Sequence, residues 1–148
     1  MKSLVTLIMT CNYVHSENNI ESIIMKKIPC VMMRGGTSRG AFLLAQDLPQ
    51  EEKLRDEVLI KIMGSGNALE IDGIGGGNPL TSKVAIISRS NDPKADIDYL
   101  FAQVLVHEQR VDTTPNCGNM LSAVGAFAIE KGLINAATPT TRVRIRNV

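Results

Sequence analysis

The chain has 148 residues, 44% of them hydrophobic and 21% charged, with a net charge of +1; this is at most one ordinary domain with enough apolar material for a core. The near-neutral balance gives no electrostatic footprint for nucleic acid, and a 3% aromatic share without Trp offers few base-stacking platforms. Three cysteines, Cys11, Cys30 and Cys117, form no CxxC pair, which argues against a disulfide framework or zinc site and for a reducing, cytoplasmic setting.

The first segment holds a short apolar run, Leu4 to Met9. It is shorter than a signal-peptide core and far shorter than a membrane span. Thr10 is a poor residue to precede Cys11 at a lipoprotein cleavage site. A polar stretch follows, His15 to Glu21, and then a second potential start, "MKKIPCV", at Met25. Residues 1–24 are therefore expected to be a poorly ordered leader and residues 25–148 the folded domain.

Lys27 to Met33 reads as a strand, Arg34 to Gly40 as a tight polar turn, and "AFLLA" as a second strand, a hairpin with an elaborated loop. Leu48 to Gly64 is the clearest helix, with Leu54, Val58, Leu59, Ile62 and Met63 on one face and Gly64 to end it. Asn67 to Ser82 is too rich in glycine and turn formers for regular structure. Lys83 to Ser88 is a short apolar strand, and Ile97 to Val106 a central one, apolar on both faces. Thr114 to Gly132 reads as a second helix. Thr141 to Val148 alternates Arg142, Arg144 and Arg146 with apolar residues, as a half-exposed strand with a solvated arginine face would. An unpaired strand at Val148 suggests the front portion of a longer protein. His15 and His107 have no partner at ligand spacing and read as structural.

Three constellations carry chemistry. In "PNCGN", Asn116 is a strong N-cap, which puts Cys117 at the first helical position. Free amides and the helix dipole there favour a thiolate and can seat a carboxylate, and Gly118 lets a ligand approach. The bland reading is an inert cysteine under a helix cap. In "IDGIGGGNPLTSK", the pattern G-x-x-x-x-G-K-[ST] is not met, because Ser82 replaces its last glycine and Val84 follows Lys83. What remains is a flexible loop that delivers Thr81, Ser82 and Lys83 to one place. Lys83 is either a desolvated general base or a solvated surface lysine. In "RGGTSRG", two arginines, two hydroxyls and three glycines make either a carboxylate clamp or an ordinary hairpin loop.

The stretches "MRGGTSRGAFLL", "IDGIGGGNPLTSKVAIIS", "DYLFAQV" and "VDTTPNCGNML", in this order, resemble the PrpF family, the methylaconitate isomerase and 4-oxalomesaconate tautomerase group. That family is similar to diaminopimelate epimerase in fold. The resemblance runs from Met25 to Val148 and implies one α/β half, a mixed or antiparallel sheet rolled around a central helix. A second half, expected to lie outside this stretch, would close the substrate cleft. The implied chemistry is a cofactor-free proton shift on small unsaturated di- or tricarboxylates, with no metal and no nicotinamide. Lys83 and Cys117 carry over as acid/base candidates. Arg34, Gly35, Gly36, Thr37, Ser38, Arg39, Ser82, Asn116, Gly118 and Asn119 carry over as candidate substrate contacts. The expected partner is a small carboxylate, with no nucleic acid and no membrane; homo-oligomerisation stays open. The competing reading is a non-catalytic half-domain that binds carboxylates or associates with another chain.

Overall fold

The computed structural model describes the backbone of residues 6–17 and 20–148 and the side chains of residues 27–148. Among the described residues, strands β1 (Thr6–Glu17), β2 (Ile20–Gly35), β3 (Ser38–Leu44), β4 (Lys83–Arg89), β5 (Ile97–Val104) and β6 (Val111–Asp112) lie side by side in chain order. A short strand, β7 (Ile145–Asn147), joins the same edge of β5 as β6 but at its other end. Two α-helices, α1 (Glu52–Met63) and α2 (Gly118–Glu130), and a short 3-10 turn at Ala45–Asp47 complete the described fold.

The sheet is mixed. The β3–β4 pair is parallel, as is β5–β7, and the other pairs are antiparallel. Parallel neighbours require a crossover, and α1 with the glycine-rich loop behind it supplies the one between β3 and β4. The alternation of strand side chains then divides the core in two. Ile28, Cys30, Ala41, Leu43, Val84 and Ala102 pack with α1. Val31, Phe42, Ala85, Tyr99 and Phe101 pack with α2. The helix that the sheet embraces is α2, which contacts β2, β3, β4 and β5. Its small residues permit this close fit, and Phe127 meets Phe42 with ring centroids 5.7 Å apart.

α1 follows its apolar period: Val58, Leu59, Ile62 and Met63 are buried, and Gly64 ends the helix in the left-handed region at φ 78°. The hairpin loop is simpler than expected. Gly35 pairs with Ser38, which leaves only Gly36 and Thr37 as the loop. Gly36 takes a positive φ of 53°, which a tight two-residue loop demands at its first position.

Part of the first segment has a described backbone. β1 pairs along its whole length with β2, from Thr6 opposite Val31 to Glu17 opposite Ile20. This pairing meets the backbone donors and acceptors along that edge of β2. Residues 1–5 and 18–19 lie outside the described residues.

The last strand also differs. Only Ile145–Asn147 is regular, and its arginines are not merely solvated. Arg144 takes Asp96 with Nε at 3.1 Å and Nη2 at 2.7 Å, and Arg146 takes Asp98 at 2.8 and 2.7 Å. Parallel pairing with β5 brings these acids alongside, 48 residues upstream in each case.

Candidate active site

Lys83 opens β4 and is nearly buried, at 9% exposure. Its side chain is therefore not that of a solvated surface lysine. Its Nζ donates to Gln103 Oε1 at 2.6 Å and lies 4.9 Å from the centre of the Phe101 ring. Lys83 and Gln103 face each other in the β4–β5 register, so their side chains share a sheet face, that of α2. The Gln103 amide in turn donates to Ser82 O at 2.7 Å and Pro79 O at 3.1 Å.

Cys117 stands on the same face, packed on the cluster that contains Tyr99 and Phe101. It is the N-cap of α2, with φ −129° and ψ 96°, not the first helical residue. The expected cap, Asn116, is one position too early. The reason is that the Cys117 carbonyl already accepts the first helical bond, from Leu121 N–H at 2.9 Å. Tyr99, fully buried, donates its hydroxyl to the same carbonyl at 3.3 Å. Burial, and next the neighbouring Cys117, push the Tyr99 phenol well above its ordinary range, so it acts as a fixed donor.

The start of α2 meets the β2–β3 hairpin. Asn119 Nδ2 donates to Thr37 Oγ1 at 2.9 Å, with Ser38 Oγ at 3.5 Å. Glycine is required at this junction. A Cβ on Gly35 would lie 2.0 Å from the Asn119 carbonyl oxygen, and one on Gly36 2.4 Å from Asn119 Oδ1. Gly118 is the opposite case: a Cβ there would meet nothing within 4 Å. Asn116, Gly118 and Asn119 are exposed. The first amides of α2 therefore start at an open surface, suited to an anion.

The two arginines of the hairpin are exposed and directly opposite each other in register, Arg34 against Arg39. Strand alternation sends both to the α1 face, with Met32 and Ala41 rather than Met33 and Phe42. The clamp read as one unit is thus divided. Thr37 and Ser38 join Asn119 on the α2 face, while Arg34 and Arg39 stand on the other side of the sheet end. Arg39 instead borders the glycine-rich loop, where a Cβ on Gly76 would lie 3.1 Å from its guanidinium.

Ser82 also points to the α1 face, into a contact that the sequence reading missed. Its hydroxyl donates to Glu70 Oε1 at 2.5 Å, and Gly77 N–H donates to Glu70 Oε2 at 2.8 Å. Glu70 is buried, at 1% exposure, and takes a left-handed φ of 50°. The glycine-rich loop wraps this carboxylate; a Cβ on Gly75 would lie 2.1 Å from it. The loop is pinned rather than flexible: Ile74 N–H and Gly75 N–H bond to the carbonyls of Ile62 and Met63 at the end of α1. A single acid at the head of "EIDGIGGG" was the available signal.

Among the described residues, no three His, Cys, Asp or Glu side chains are grouped to hold a metal ion. No helix among them is long and apolar enough to cross a membrane.

Comparison with known proteins accords with these features. The family described as PrpF protein matches residues 25–148. The chain is 82% identical over 124 residues to the YbhH protein of Escherichia coli, covering 84% of this chain and 35% of that protein. It is 59% identical over 119 residues to the 4-oxalomesaconate tautomerase of Pseudomonas putida, covering 80% of this chain and 33% of the relative. A crystal structure of methylitaconate-delta-isomerase superposes with a TM-score of 0.80 at 51% identity, over 82% of this chain and 31% of the other. The chain spans about a third of the length of the curated relatives it matches. With the family matched over all but the first 24 residues, the chain belongs to the PrpF protein family.

Proposed function

We propose that this chain carries one wall of an active site for a cofactor-free proton and double-bond shift in small unsaturated di- and tricarboxylates. The observation that carries the reading is the placement of Lys83 and Cys117 on one face of the sheet, at the end where α2 begins. The named activities of relatives support the substrate class: 4-oxalomesaconate tautomerase, 3-methylitaconate isomerase and 2-methyl-aconitate isomerase.

The chemistry follows from what such a shift requires. A base takes a proton from the carbon between an alkene and its neighbouring group. The freed electron pair spreads over the alkene and a carboxylate, and a proton then returns at the far carbon, so the double bond has moved and nothing is oxidised. Lys83 and Cys117 are the candidates to take and return that proton, a contribution of typically ~10²–10⁴-fold. The first amides of α2, with Asn119, Thr37 and Ser38 beside them, are the candidate seat for the carboxylate on which charge builds. Arg34 and Arg39, on the other face, are candidates for steering or for a more distant carboxylate.

A second reading, carboxylate binding without turnover, is favoured by the openness at Gly118, where a side chain would meet nothing within 4 Å. Water at an open site weakens each electrostatic contact. Both readings require that the chain bind a carboxylate there. Titration with methylitaconate, followed by amide NMR, is expected to move Gly36 to Ser38 and Gly118 to Met120 selectively. Shifts confined to other regions, or none at millimolar concentrations, would contradict both. Ultraviolet assay of double-bond migration by a full-length chimera that carries residues 25–148 then separates the readings.

A further inference from the structure

Gln103 lies on β5, outside every stretch read as a site, yet its side chain has no freedom to turn. Its amide nitrogen faces two backbone carbonyls, Ser82 at 2.7 Å and Pro79 at 3.1 Å. A carbonyl only accepts, so both require the N–H₂ end. The oxygen must then point the other way, and that is where Lys83 Nζ sits, at 2.6 Å. Turning the amide over would set oxygen against two carbonyls and N–H₂ against an amine. The orientation is thus imposed by the backbone of the loop that precedes Lys83.

That backbone is itself fixed. The Ser82 carbonyl accepts a second bond from Val104 N–H at 3.2 Å, and the Ser82 hydroxyl is held by buried Glu70. The Phe101 ring on the same strand provides a π face 4.9 Å from Nζ. An ammonium has three donors; with one given to Gln103, capacity remains for a substrate or a transferring proton.

We infer that Gln103 is a positioning residue for Lys83: its backbone-locked amide oxygen accepts from the Lys83 amine and sets where that amine sits in the absence of substrate. The role of Lys83 itself rests on the proposed function. The placing of Lys83 by Gln103 does not, and it can be read without substrate or turnover.

The test is trace acylation of the 148-residue chain at fixed pH, with acetylation of Lys83 measured by peptide mass spectrometry against exposed Lys94. Gln103→Met removes the acceptor at similar volume, and Gln103→Glu puts a full negative charge beside the amine. Gln103→Met is expected to raise the Lys83 to Lys94 ratio, and Gln103→Glu to lower it, each by about 2–10-fold, the worth of one hydrogen bond. Both substitutions lose the N–H₂ donors to Ser82 and Pro79, so a loosened structure alone would raise both ratios. A rise in both, or no change in either, overturns the inference. Far-ultraviolet circular dichroism checks folding. If Gln103→Met does not fold, Gln103→Asn, which draws the oxygen back by one methylene, must raise the ratio instead.

Discussion

Asn119 donates its side-chain amide to Thr37 Oγ1 at 2.9 Å, a bond between residues 82 apart in the chain. It ties the first turn of α2 to the tip of the β2–β3 hairpin, and Gly35 makes that approach feasible. Adding a single methyl at position 35 places a carbon 2.0 Å from the backbone oxygen of Asn119. Backbone cannot swing away as a side-chain end can. Gly35→Ala is therefore expected to push the hairpin off α2 at a cost of about 1–3 kcal/mol, as for other overpacked sites. For a chain of this size that lowers the melting temperature by roughly 2–10 °C. An unchanged melt would show that the contact is looser than described.

Glu70 is expected to govern the order of the glycine-rich loop. Glu70→Ala leaves the Ser82 hydroxyl and the Gly77 amide without their acceptor, at roughly 1–3 kcal/mol for each group that stays buried. Hydrogen exchange should accelerate at Gly77, ahead of any change in α2. Exchange at Gly77 equal to that of the unsubstituted chain would contradict the clamp.

The arginine pairs at and just before β7 give a pH dependence with a defined sign. The hydrogen bonds from Arg144 hold Asp96 down at about 2, and those from Arg146 lower Asp98 likewise. A carboxylate depressed in the folded state contributes stability above its unfolded value, about 3.9, and loses it as pH falls through the folded value. The stability difference between the chain and its Arg144→Gln variant should therefore be present at pH 5–7 and vanish toward pH 2. Thermal melts across that range check it; a difference independent of pH would exclude Asp96 as the partner that matters.

Cys117 is expected to alkylate before Cys30. Cys30 is fully buried, and burial pushes its thiol upward. Cys117 is half-buried at the start of a helix whose next residue, Gly118, borders open space. Iodoacetamide labelling read by peptide mass spectrometry distinguishes the two, and faster labelling of Cys30 would count against the described burial.

Much of the fold was legible because it rests on local patterns. The helical period of Val58, Leu59, Ile62 and Met63, and the apolar runs that became β4 and β5, depend only on neighbouring residues. Lys83 and Cys117 were legible as candidates because each adjoins a turn and a regular element. What escaped depended on partners far away in the chain. The edge that recruits β1, and the acids Asp96 and Asp98 that take up Arg144 and Arg146, exist only once the sheet has formed. The division of Arg34 and Arg39 from Thr37 and Ser38 follows from a pleat that begins immediately beside a two-residue loop. Glu70 carried no motif; its meaning lies in the loop folded around it.

The central claim is that Lys83 and Cys117 move a proton at a substrate carbon. A chimera in which residues 25–148 replace the matching stretch of the Eubacterium barkeri 3-methylitaconate isomerase, 51% identical over 121 residues, tests it directly. Methylitaconate is incubated with the chimera in deuterium oxide, and solvent deuterium entering its carbon skeleton is followed by NMR. Incorporation by the chimera is expected, with a fall of about 10²–10⁴-fold on Lys83→Ala or Cys117→Ala in a folded protein. Incorporation at an undiminished rate in both variants would contradict it.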